Sequence, residues 1–263
     1  MKILATVIKN QFQDSFRSKW IIVYSLFYFL ITFGLILFTN DSNKIILSLM
    51  NVNLIVIPLV CIVFGNVFFY NNREYIIMIL AQPVDRKYIY LGLYFGLTFA
   101  MSLSFLLGVF LPIIFSFKIF INNFNIIFWL IITGILITFI FVGIAFLISM
   151  LNENKLKGLG ISIFSWFLFT ALYDAIILML LQILQNYPLE IFSLTLTLVN
   201  PIDITRIIII NNFDIAALMG FTGAVFNKFF GSVVGFGIAL FSLINWIALP
   251  LLIGLNLFNK KDF

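Results

Sequence analysis

The chain reads as long apolar runs separated by short polar breaks. Apolar stretches of 18 residues or more are candidates for crossing a bilayer as helices. Six occur, at roughly 20–39, 46–69, 89–116, 126–150, 158–182 and 233–257. Each reaches or exceeds the ~20 residues that a helix needs to cross ~30 Å of hydrocarbon. No small-x-small cleavage site follows the first run, so it is expected to be a retained anchor rather than a signal peptide.

Two other segments carry a helical pattern without being simple spans. In residues 1–18, Ile3, Leu4, Val7, Ile8, Phe12 and Phe16 recur at spacings of three and four, with Lys2, Lys9, Gln13, Asp14 and Arg17 mostly on other faces. That pattern predicts an amphipathic helix lying in the inner interface. Residues 191–210, IFSLTLTLVNPIDITRIIII, have the length of a seventh span. Asn200, Pro201, Asp203 and Arg206 would then sit near its centre, where Asp and Arg cost ~2.5–3.5 kcal/mol each. Two short helices, dipping into the outer leaflet or lying on it and broken at Asn200–Pro201, are expected instead. Asn suits the cap, Pro the first helical position, and Asp203 the first turn, where the helix dipole favours an acid. The predicted fold is an all-α integral membrane protein, a single transmembrane domain over residues 1–263. It has an interfacial helix at 1–18, six spans, loops at 70–88 and 151–157, and outer-face helices within 183–232.

Composition agrees with lipid as solvent. The chain is 63% hydrophobic and 10% charged, against about 25% charged for a soluble domain. Too much apolar surface remains for one core of this size. The net charge of +5 could suggest nucleic acid, but its distribution follows a membrane. With the N-terminus inside, 11 of the 15 Lys and Arg residues lie on inner flanks, leaving Lys44, Lys118, Arg206 and Lys228 outside. Both termini are therefore expected in the cytoplasm, with no nucleic-acid partner.

Candidate chemistry is thin. There is no histidine, which removes His-based triads and His metal clusters. The single cysteine, Cys61, excludes a disulfide within the chain. The phosphate-cradling G-x-x-x-x-G-K-[ST] pattern is absent, as are H-E-x-x-H and C-x-x-C. The seven methionines are scattered and outline no soft-metal site. An intramembrane serine protease would lack its base. An aspartyl protease needs two facing carboxylates, yet the Tyr173-Asp174 and Gly158-Leu159-Gly160 pair comes in reversed order, with no Asp after the second glycine. No catalytic, cofactor or metal residue is expected. Asp174 is the sole acid inside a predicted span, about 24 Å along a helix from Gly158 and so near the outer interface. It reads as a wetted helix end or a partner of Arg206. A channel or secondary carrier would use it instead as an intramembrane ion site.

The loop at 70–88 holds NNREYIIMILAQPVDRKY, with Arg73, Glu74, Asp85, Arg86 and Lys87. Its first part predicts a short helix from Arg73 to Gln82 with Ile76, Ile77, Ile79 and Leu80 on one side. Pro83 ends it, because the residue before proline is pushed out of the α region. On pattern alone two readings remain open: a basic inner loop that sets orientation, or a helix that docks into a groove on a soluble partner.

The string REYIIMILAQPVDRKYIYLG resembles the first cytoplasmic loop of ABC-2 type transporter permeases, over Arg73, Glu74, Leu80, Gln82, Pro83, Val84, Arg86, Leu91 and Gly92. Those permeases often carry a lysine after that glycine, where this chain has Leu93. The interfacial helix, six spans and outer helices before the last span fit the same architecture. The resemblance implies docking onto a separate ATPase that holds ATP and Mg, through Arg73–Lys87 including Asp85 and, secondarily, through Asn152–Lys157 with Glu153 and Lys155. It implies a homodimer with two ATPase copies, in a bacterial inner membrane, and no enzymatic activity in this chain. Residues 199–210, VNPIDITRIIII, are similar to the stretch before the last span in permeases of Nos copper-processing systems, over Asn200, Pro201, Asp203 and Arg206. That narrower likeness implies a role in nitrous oxide reductase maturation, with a NosD-like periplasmic partner. The same residues also fit a capped helix start with an i,i+3 ion pair. Export of a lipid, peptide or drug is the alternative within the same class.

Overall fold

The computed structural model describes residues 2–39, 41–116, 121, 123–184, 190–212 and 229–261. Its helices are α1 (Lys2–Phe16), α2 (Lys19–Phe38), α3 (Ser42–Asn71), α4 (Arg73–Leu80), α5 (Arg86–Phe115) and α6 (Phe124–Leu151). After these come α7 (Lys155–Phe167), a π turn (Leu168–Leu172), α8 (Tyr173–Ile183), α9 (Glu190–Val199), α10 (Pro201–Ile210) and α11 (Val233–Lys260). There is no strand among the described residues. Six helices among them are long and apolar enough to cross a membrane: α2, α3, α5, α6, the continuous run Lys155–Ile183, and α11. At 28 to 30 residues, all but α2 run to about 42–45 Å, so they tilt or project past the hydrocarbon.

The centre of the bundle is α5 and α6. Helix α6 packs against α3, α5, α10 and α11, and α5 packs against α1, α2, α6 and α11. Hydrophobic burial does little to join helices in lipid, so close packing and small residues must do it. Phe146 on α6 gathers the rings of Phe69, Tyr90 and Tyr94 at centroid distances of 5.2, 6.0 and 6.0 Å. Tyr90 also meets Phe258 of α11 at 5.4 Å. Four helices thus share one aromatic cluster of mostly edge-to-face contacts.

Helix α1 lies along α5. Gly92 and Gly96, one turn apart, permit this. A Cβ at Gly92 would sit 2.4 Å from Val7 Cγ1, and one at Gly96 would sit 2.6 Å from Gln11 Cβ. The face used differs from the apolar stripe that periodicity predicts. Val7, Gln11 and Ser15 are buried, Leu4, Ile8 and Phe12 are half-buried, and Phe16 is exposed. The Ile3 side chain lies outside the described set. The two glycines on α5 admit Val7 and Gln11 at close backbone approach, which turns Gln11 inward and leaves the bulky Phe16 outside.

The Asn200–Pro201 break is present. Helices α9 and α10 meet at 112°. Helix α10 does not lie free on a surface. It packs against α3, α6 and α11 and buries Ile202, Ile204, Ile208 and Ile209. The rest of the expected outer-face segment, 185–189 and 213–228, lies outside the described residues.

Candidate functional site

The expected loop residues gather at one end of the bundle, with partners that the sequence did not indicate. Helix α4 has two turns and packs on α3 and α5. Ile76 and Ile79, at i and i+3, are buried and Leu80 is half-buried. Ile77, expected on that face, is instead 46% exposed, beside Met78 at 58%. The reason is angular: at 3.6 residues per turn, Ile77 sits about 100° from Ile76. Glu74, Gln82, Pro83, Asp85 and Lys87 are exposed, while Arg73, Val84 and Arg86 are half-buried. After α4 the chain turns tightly, with Gln82 N–H donating to Ile79 O and Val84 N–H to Gln82 O. The exposed Lys87–Asp85 pair at 3.9 Å contributes little.

The second loop is exposed at Glu153, Asn154, Lys155 and Leu156. Asn154 caps α7 by accepting from Leu156 N–H at 2.9 Å. Two contacts join this loop to the end of α3. The Tyr70 hydroxyl donates to Asn152 O at 2.6 Å, and Lys155 Nζ donates to Asn71 Oδ1 at 2.9 Å. Gly158 makes room for Tyr70, since a Cβ there would lie 2.5 Å from the hydroxyl.

A third part joins them, the C-terminal end of α11. Arg86 Nη1 donates to Asn259 O at 3.2 Å and to Lys261 O at 2.8 Å. Lys261 Nζ donates to Met150 O, in the last turn of α6, at 2.9 Å. The last four carbonyls of a helix lack intrahelical donors, and their end of the dipole favours cations. Arg86 and Lys261 supply both. Burial pushes the Lys261 ammonium below its ordinary range, with Glu153 opposing that shift and Arg73 adding to it. Both loops therefore lie within electrostatic reach of Lys261. In the sequence, Lys261 was legible only as an orientation signal; Tyr70 and Asn71 fell in the expected 70–88 loop and Asn152 in the expected Asn152–Lys157 segment, with nothing to mark them as the groups that join the two.

At the hairpin, Asn200 does three things. Its Oδ1 accepts from Ile202 N–H at 3.0 Å, and its Nδ2 donates to Asp203 Oδ2 at 3.0 Å and to Phe169 O at 2.9 Å. Phe169 lies in the π turn of the fifth span, a kind of bulge often found at functional positions. Arg206 bridges Asp174 at 3.1 Å and Asp203 at 3.2 Å. The Tyr173 hydroxyl donates to Leu196 O. The fifth span is thus tied to α9 and α10 just before, at and just after Asn200. Asp203 is mostly buried, whereas Asp174 and Arg206 are each about a third exposed. The four residues expected before the last span are brought together with Asp174, the separate acid of the fifth span. Among the described residues no group of three or more His, Cys, Asp or Glu could hold a metal ion.

Six long apolar helices, a tied loop end and a hairpin bent by 112° define an all-α, multi-pass membrane protein. No family model matches the chain. It is similar to two proteins, each named "Probable ABC transporter permease protein NosY". The one from Stutzerimonas stutzeri is 22% identical over an alignment of 272 residues, covering 97% of this chain and 97% of that protein. The one from Pseudomonas aeruginosa is 22% identical over 246 residues, covering 84% of this chain and 86% of that protein.

Proposed function

We propose that this chain is the membrane-spanning subunit of an ABC transporter, turning ATP hydrolysis on a separate ATPase into movement of its spans. The observation that carries the reading is the junction of three loop-end segments. Arg73–Lys87, Asn152–Lys157 and Asn259–Lys261 are held together by Tyr70, Arg86, Lys155 and Lys261. A partner that presses on α4 would bear at once on the ends of α3, α5, α6 and α11, through ties that can each give. Exposed Ile77 and Met78, rimmed by Glu74, Asp85 and Lys87, supply an apolar contact with charged edges. In this reading that end faces the cytoplasm of a bacterial inner membrane. Two copies of the chain pair and each takes one ATPase, which alone holds ATP and Mg. From residue 163 to residue 183 the fifth span has no residue buried within the protomer, and it offers the apolar surface for the second copy. The likeness to the two permeases extends the proposal to copper processing in nitrous oxide reductase maturation, with a NosD-like periplasmic protein at the hairpin face.

The test is co-purification of an ABC ATPase subunit that binds the wild-type chain with Glu74→Lys/Asp85→Lys and with a Met78→Glu variant. Binding should fall at least tenfold, with loss of any stimulation of ATP turnover by the permease. Unchanged binding and unchanged turnover in both would overturn the docking role.

A further inference from the structure

A groove runs between α2 and α5. Ile22, Leu26 and Phe29 form one wall and Leu107 and Leu111 the other, while Phe16 closes the end at the α1–α2 turn. Its volume is about 380 Å³. From Ile21 to Phe29 the wall extends about 12 Å along the helix. The two helices touch closely on one side, where a Cβ at Gly108 would be 2.6 Å from Tyr28 Cβ, and the groove opens beside that contact. Ile22 and Leu26 are 58% and 54% exposed on its open edge. Only Ser25 and Ser104 bring hydroxyls to the lining.

An apolar groove on the lipid-facing side of two spans does not hold water, and left empty it forfeits dispersion contacts along both walls. Its open apolar walls, about 12 Å long, suit a stretch of one hydrocarbon chain. The end of the groove has a definite electrostatic character. Phe16 is followed at once by Arg17, Ser18 and Lys19, and both cations are exposed. Asp14, a turn earlier, is exposed as well. Among the described residues, none of these three makes an ion pair. Two exposed cations between Phe16 and Ile21, which both line the groove, match a phosphate joined to an acyl chain.

We propose that this groove binds one acyl chain of an anionic phospholipid, from the leaflet that faces the α1–α2 turn, with the lipid phosphate at Arg17 and Lys19. The lipid would brace α1 and α2 against α5, as a fixed component of the protein. The site needs only the membrane setting and does not depend on the ATPase reading.

The experiment uses the full-length protein in vesicles of equal phosphatidylglycerol and phosphatidylcholine, re-extracted into mild detergent, with retained lipid counted by native mass spectrometry. Wild type is expected to keep about one phosphatidylglycerol per protomer. A cation near an anionic lipid surface is worth a factor of about five, so Arg17→Gln with Lys19→Gln should reduce the preference for phosphatidylglycerol about 25-fold. Filling the groove with Ser104→Phe should abolish retention of either lipid. Ile22→Trp fills it from the exposed edge and serves if the buried change prevents folding. Retention that survives the filling variants overturns the site, as does a preference untouched by the double charge variant. A filling variant that splits an oligomer while lipid retention stays constant also overturns it, by assigning the groove to a second copy of the chain.

Discussion

The loop end and the hairpin hold helices together by opposite means. At the loop end, Tyr70, Arg86 and Lys261 reach backbone carbonyls on other segments, and the exposed Lys155 reaches the Asn71 side chain. At the hairpin, side chains mostly satisfy one another: Arg206 with two carboxylates, and Asn200 with Asp203 as well as with two backbone groups. Water can replace a donor at a half-exposed carbonyl at small cost, so the loop ties can break and re-form singly. The mostly buried Asp203 and its partner guanidinium cannot part without stranding charge. The hairpin and the fifth span should therefore move as one body, whereas the loop end should be the yielding part.

The contrast can be broken most directly at Arg206. Arg206→Gln leaves Asp174 and Asp203 facing each other without a cation. Losing a fully buried partner costs about 3–5 kcal/mol, and exposure of Arg206 and Asp174 lowers that to about 2 kcal/mol here. Thermal unfolding in detergent should show a clear fall in Tm, and Asp203→Asn on top of it should restore most of the loss. An unchanged Tm would remove the basis for treating α8 and α10 as one body.

Asn200→Ala comes next. It removes the cap on α10, the donor to Asp203 and the bond to the π turn, for about 1–2 kcal/mol together. Hydrogen exchange should speed up at both the start of α10 and residues 168–173. Faster exchange at α10 alone would mean that the bond to Phe169 O carries no weight.

The smallest effect belongs to the loop end. Arg86→Gln removes a cation from the last carbonyls of α11, for about 0.3–1 kcal/mol, and the effect should shrink further in high salt. Amide exchange over the last turn of α11 should rise with hardly any change in Tm. A loss as large as that of Arg206→Gln would show the two ends to be equally rigid.

Much of this was legible locally. The spans could be read because apolar length is a property of consecutive residues, and the α9–α10 break because Asn200, Pro201 and Asp203 are a start signal in themselves. The Arg206–Asp203 pair lies one turn apart and could be read too, whereas Arg206–Asp174, 32 residues apart, stood as one of several readings. The stripe on α1 held at Val7 but not at Phe16, because two glycines on α5 set the face, and Ile77 failed because burial of a two-turn helix follows its neighbour rather than its composition.

What the sequence determined alone is therefore a set of apolar lengths and helix breaks, each fixed by bonds within a few residues or by the thickness of a bilayer. The tertiary structure decided which cation meets which carbonyl. Tyr70 reaches Asn152 across 82 positions, Lys261 reaches Met150 across 111, and Arg86 reaches Lys261 across 175. Such contacts leave no period in the chain. Any free helix end would accept any nearby cation, so only the packing of α3, α5, α6 and α11 selects the pairs.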